Sequence, residues 1–142
     1  MTIVDVNLLL YATIATFPQH EAAKLWLEKL LLEEDIIALP WISLWGYLRL
    51  ATSNQTFAVN VTPTDAFEFI RSLLASPGVQ QLNPGPRHLD ILQDLAIHQQ
   101  SRGGKLTDAS LAALAIEHGA TLASTDKDFS RFPKLKWLNP LA

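Results

Sequence analysis

The chain has 142 residues, 49% of them apolar and 18% charged, with no cysteine and a formal net charge of −3. That length suits one domain with one core, and the composition excludes a disordered or solvating chain. Disulfides and thiolate metal sites are excluded as well, and the net charge argues against a protein that coats nucleic acid without specificity.

Ile3-Val4 predicts a short buried strand ending at Asp5, followed by a helix from Leu8 to Ala15 that breaks at Phe17-Pro18. From Glu21 to Glu34, apolar Ala22, Leu25, Trp26, Leu30 and Leu32 recur at near-helical spacing, with Lys24, Glu28 and Glu33 outside them. Ile36-Ile37-Ala38-Leu39 reads as a second strand stopped by Pro40. A helix from Trp41 to Ala51 follows and ends at Thr52-Ser53-Asn54. Thr62-Pro63-Thr64-Asp65 opens the next helix, which reaches about Ala75 before the Ser76-Pro77-Gly78 turn. Val79 to Leu82 is a third strand, and Asn83-Pro84-Gly85-Pro86 a turn. A helix from Arg87 to Gln100 then leads to Gly103-Gly104, a flexible connection with no Walker pattern around it. Thr107 is expected to cap a helix that ends at Gly119, a residue suited to the left-handed C′ position. Ala120 to Ser124 is a fourth strand, and Trp137-Leu138 a short fifth.

Strands that alternate with helices imply right-handed crossovers and a short, mostly parallel central sheet covered on both faces. The expected fold is therefore an α/β/α sandwich in a single domain over residues 1–142. The uncharged stretch from Ile36 to Leu48, between Asp35 and Arg49, is too short to cross a bilayer and contains Pro40. No basic segment precedes Asp5, so no secretory leader is expected; the expectation is a cytoplasmic protein with no membrane partner.

In open parallel sheets, ligands bind outside the carboxyl ends of the strands. Asp5 and Asp126 each follow a strand there, and Asp108 is expected in the first turn of the Thr107 helix. Three converging carboxylates suit a hard divalent cation, which takes oxygen ligands and keeps several waters. Each acid also has an ordinary alternative: Asp108 as a helix-dipole partner, Asp126 as a turn residue. Asp128, beside Phe129, reads as the cap of the following turn, with membership of the acidic cluster as the other reading.

The stretch Val4-Asp5-Val6-Asn7-Leu8-Leu9-Leu10-Tyr11-Ala12 resembles the opening of a VapC-type PIN domain. Thr107-Asp108-Ala109-Ser110-Leu111-Ala112-Ala113 is similar to that family's third acidic motif, and Ser124-Thr125-Asp126-Lys127-Asp128-Phe129 to its final one. The ending, with Arg131-Phe132-Pro133, Leu135-Lys136-Trp137 and Asn139-Pro140-Leu141, fits as well. The resemblance runs in order along nearly the whole chain. It implies a PIN-like fold and a Mg²⁺-dependent endoribonuclease, with Mn²⁺ as a possible substitute. It further implies the role of toxin in a toxin–antitoxin pair, a cognate antitoxin as partner, RNA as substrate and a homodimer. Asp5 and Asp108 match the family's main metal-binding carboxylates, Asp126 a further acid of the cluster, and Asn7 a polar residue beside it.

One departure from the family pattern stands out. The helix with an arginine equivalent to Arg49 generally carries a glutamate, yet Ser43-Leu44-Trp45-Gly46-Tyr47-Leu48-Arg49 has no acid, whether the position is Leu44 or Gly46. An inactive PIN scaffold that binds RNA or a protein is therefore the competing reading. A phosphate-accepting receiver or phosphatase also collects aspartates at strand ends, but Asp5-Val6-Asn7 lacks the second acid of a D-x-D nucleophile. Arg49 reads as a phosphate contact or a structural ion pair. Trp26, Trp41 and Trp45 read as packing residues, with one or two of them left for a dimer or antitoxin surface. The four histidines show no metal-ligand spacing, and Lys127, Arg131, Lys134 and Lys136 read as a solvated face.

Overall fold

The computed structural model describes residues 1–33, 36–53 and 61–142. Five strands, β1 (Thr2–Val4), β2 (Ile37–Pro40), β3 (Val79–Leu82), β4 (Thr121–Ala123) and β5 (Lys136–Leu138), form one sheet in the order β3-β2-β1-β4-β5. Every neighbouring pair is parallel. The helices are α1 (Val6–Thr13), α2 (His20–Glu33), α3 (Trp41–Ala51), α4 (Pro63–Ala75), α5 (His88–His98) and α6 (Gly104–Glu117). None of the described helices is long and apolar enough to cross a membrane. The expected helix end at Glu34 and the Asn54 stop lie outside the described residues.

The two-residue period of a strand sends alternate side chains to two separate cores. Val4, Ile37, Leu39 and Ala123 join the apolar cluster under α1 to α4. Ile3, Ala38 and Leu122 join the opposite cluster, with Leu95 of α5 and Leu111 and Leu114 of α6. Burial on both faces is what an all-parallel sheet requires. Gln80 and Gln81 are exposed on β3, as suits an edge strand.

The helix carrying Asp108 begins earlier than its sequence signals suggest. Gly103, at φ 55°, is the N-cap of α6, with Lys105 N–H donating to the Arg102 carbonyl (3.1 Å) and Leu106 N–H to that of Gly103 (3.0 Å). Thr107 is therefore an interior residue, and Asp108 sits in the second turn, past the reach of the helix dipole's first turn. The Gly103-Gly104 pair starts a helix and is not a loose connection; glycine takes the left-handed entry without steric strain. Gly119 does adopt positive φ, 63°, after the C-cap His118. Glu117 pins the 83–87 turn to the end of α6, accepting from the Gly85 and Arg87 amides at 2.8 and 2.9 Å. The Gly85 bond foremost holds its carboxyl below the usual range.

Candidate metal centre

The chain order places β4 and β5 on one side of β1 and β2 and β3 on the other, so the order in which strands are added reverses between β1 and β4, which run parallel. Asp5 and Ser124 leave these two strands at the same edge, since Val4 pairs with Ala123 and Asp5 N–H donates to the Ala123 carbonyl at 3.0 Å. That is the crevice where open parallel sheets bind ligands.

Asp5 is the N-cap of α1. Its Oδ1 accepts from Val6 N–H at 2.8 Å, and its Oδ2 accepts from the Ser124 hydroxyl at 2.7 Å. Ser124 is fully buried, and its Oγ also accepts from Asp126 N–H (3.1 Å) and Asn7 Nδ2 (3.2 Å). Asn7 Nδ2 reaches Asp5 Oδ2 at 3.5 Å. Asp126 caps the 3₁₀ turn Lys127–Arg131, accepting from Asp128 N–H at 2.9 Å, and buried Phe129 anchors that turn in the core. The cap is thus Asp126, and Asp128 is freed to point elsewhere. Oxygens of Asp108, Asp126 and Asp128 all lie within 4.8 Å of one another. Asp5 stands outside that group and is linked to it through Ser124.

Burial pushes the Asp5 carboxyl above its ordinary range, opposed by the bonds from Ser124 and Val6 and assisted by the charge of Asp126. Asp108 is also raised, first by burial and next by Asp126, against the pull of Arg131. Asp5 and Asp128 add to that repulsion. Part-buried carboxylates raised by burial and by neighbouring acids, as Asp5 and Asp108 are, suit a hard cation, whose charge would relieve both burial and repulsion.

Ser124 and Arg131 are the two participants that the sequence reading passed over. A serine two residues before Asp126 was the available signal for the first. Arg131 is not part of a solvated face: its guanidinium lies 4.7 Å from the Phe132 ring centroid, and its Nε and Nη2 are buried with no hydrogen-bond partner among the described residues. Ser124→Ala should cost about 3 kcal/mol, because it removes a bond to a carboxylate and strands the Asp126 amide. Urea denaturation of the metal-free protein measures this, and an unchanged midpoint would contradict the role.

On α3 the two positions open to the absent glutamate now separate. Leu44 is fully buried in the core, whereas Gly46 borders a cavity with Asp5 and Asp108. A Cβ at Gly46 would meet Val6 Cγ2 at 2.8 Å, so glycine permits the close approach of α3 to α1. Arg49 stacks over the Trp45 ring at 5.4 Å and has no carboxylate ion pair among the described residues. Trp26 packs against the core, while Trp41 and Trp45 are 50% and 62% exposed.

Residues 2–135 match the PIN domain family. Ribonuclease VapC33 of Mycobacterium tuberculosis is 43% identical over 141 residues, covering 99% of each chain. Ribonuclease VapC43 of the same organism is 38% identical over 99% of this chain and 96% of its own. Among solved structures, VapBC2 from Rickettsia felis bound to a DNA fragment from their promoter superposes with a TM-score of 0.71 at 19% identity, over 97% of each chain. VapBC-1 from nontypeable Haemophilus influenzae gives the same score and identity over 99% of this chain and 98% of its own, which speaks to the fold.

Proposed function

The chain belongs to the PIN-domain family, among relatives named VapC ribonucleases, and on that premise we propose that it is a metal-dependent endoribonuclease acting as the toxin of a toxin–antitoxin pair. The observation that carries this reading is the meeting of the Asp108, Asp126 and Asp128 carboxylates at the crevice beside Asp5. Asp108, Asp126 and Asp128 would hold Mg²⁺ or Mn²⁺, with Asp5 as a further acid of the centre. When bound, such an ion polarises a phosphoryl oxygen and lowers the pKa of a coordinated water. The protein's own part is positional: Ser124 and Val6 fix both oxygens of Asp5, and the Asp126 cap fixes the turn that presents Asp128.

A solved neighbour from Klebsiella pneumoniae is described as a toxin–antitoxin complex, which supports a cognate antitoxin as this chain's partner. Half-exposed Trp41 supports a covered apolar surface, consistent with a homodimer. The absence of a carboxylate at Gly46 favours the second reading, a weakly active or inactive scaffold.

Labelled RNA incubated with the purified protein should be cut internally with Mg²⁺ or Mn²⁺ and left whole with EDTA. The same ions should stabilise the fold by about 2.7 kcal/mol at a hundred times their Kd, read as a thermal shift. A shift without cleavage would select the scaffold reading; neither effect would remove the metal centre.

A further inference from the structure

A cavity of about 400 Å³ opens between α3 and α6, with Asp5 and Asp108 in one wall and Trp45 in another. We propose that it receives an unpaired nucleobase of the RNA next to the cut phosphate, stacked on Trp45 and met at its polar edge by Ser43. This inference rests on the ribonuclease reading and adds to it the part of the substrate that is read.

Four features specify the occupant. Trp45 presents an exposed indole face beside the acids, and base–aromatic stacking tolerates any base because each has a π-face. Ser43 lies in the same wall at 1% exposure, and its Oγ has no hydrogen-bond partner among the described residues. A buried hydroxyl left unsatisfied is unfavourable, and the edge of a base supplies the missing partner. Gly46 sets the wall in place: without a side chain there, α3 comes close to Val6 and lies against the cavity that Asp5 also lines. Finally, Arg49 borders the cavity and has no carboxylate ion pair among the described residues. Its charge complements the next phosphate of a strand whose cut phosphate sits at the acidic wall.

A divalent cation held by the acids would neutralise their wall for RNA and for an acidic peptide alike, so the Trp45 ring and the Ser43 hydroxyl, rather than charge, select the nucleobase. An apolar helix of a protein partner or a second copy would cover Trp45 but would leave the Ser43 hydroxyl unsatisfied. Single-stranded RNA alone brings a flat aromatic ring, a polar edge and a phosphate together.

The test uses the full chain and a labelled single-stranded RNA whose cut position has been mapped. The strand is remade with an abasic nucleotide on each side of the cut in turn. For the parent, removing the stacked base should lower kcat/KM about tenfold, within the range of one stacking contact. Trp45→Ala should lower it similarly on the intact strand and lose nothing more on the abasic one, with Trp45→Phe restoring most of the loss. Ser43→Ala should flatten the preference among the four bases at that position without lowering Tm, an effect that a merely structural serine would not produce. Equal abasic losses in parent and Trp45→Ala, or no loss in either, would overturn the inference while leaving the ribonuclease standing. So would a Trp45→Ala protein that changes only its mass in light scattering, which would mark an interface between protein chains. A parent that cuts no RNA would overturn the ribonuclease reading and this inference with it.

Discussion

Asp108→Asn is expected to abolish RNA cleavage and the Mg²⁺-induced thermal shift while making the metal-free protein more stable than the parent. The two signs have one cause. Asp108 is raised by burial and by the charges of Asp126, Asp5 and Asp128, so its ionised form is disfavoured in the folded chain. A carboxyl raised on folding contributes stability that is fully present below its unfolded pKa, near the ordinary 3.8, and lost as the pH rises through its folded value. The amide cannot ionise and keeps that contribution at neutral pH. The stability difference between variant and parent should therefore grow as the pH rises from about 4 to 7, and saturating Mg²⁺ should reverse it by stabilising only the parent. Loss of activity should exceed about 100-fold, since even outer partners of a bound metal cost 10- to 100-fold when removed. Urea melts across that pH range, with and without Mg²⁺, separate this result from simple misfolding. A variant that cuts RNA like the parent would remove Asp108 from the centre.

Leu44→Glu is expected to leave the protein largely unfolded, whereas Gly46→Glu should fold once Val6 is shortened. Leu44 is fully buried among the apolar residues under α1 to α4. Its replacement forfeits about 2 to 3 kcal/mol of apolar burial and adds several more for an unpaired buried carboxylate. The sum approaches the whole stability of an ordinary domain, about 5–15 kcal/mol. At Gly46 the obstacle is steric, the Val6 methyl at 2.8 Å, so Val6→Ala should relieve it. The double variant Val6→Ala, Gly46→Glu then adds an acid to the wall that holds Asp5 and Asp108, and its thermal shift should come at lower Mg²⁺ than the parent's. Circular dichroism melts over a Mg²⁺ series check both. A folded Leu44→Glu protein would contradict the core assignment, and an unmoved titration would show that residue 46 does not reach the ion.

Much of the fold follows from short-range pattern. The apolar runs at Ile3-Val4 and Ile37-Ala38-Leu39 are buried strands, Trp41–Ala51 is a helix between the expected ends, and Gly119 takes the left-handed turn. Each depends on side-chain period or backbone preference within a few residues, which a sequence displays directly. The misplaced start of α6 had a local cause too: Thr107 is a good cap, but glycine at 103 could enter the helix a turn earlier, and propensity does not rank such competing starts. The turn cap fell to Asp126 rather than Asp128 for a like reason, since either can cap a turn, and Asp126 stays in the acidic group as well.

By itself, then, the sequence determined the alternation of strands and helices, the parallel sheet, and the acids at 5, 108 and 126 as the groups to watch. Only the tertiary structure decided that Ser124, 119 positions away, holds Asp5, that Asp128 joins Asp108 and Asp126, and that Gly46 rather than Leu44 faces them. These depend on the pairing of β1 with β4 and the packing of α3 against α1, and contacts between distant segments leave no period in a chain from which they could be read.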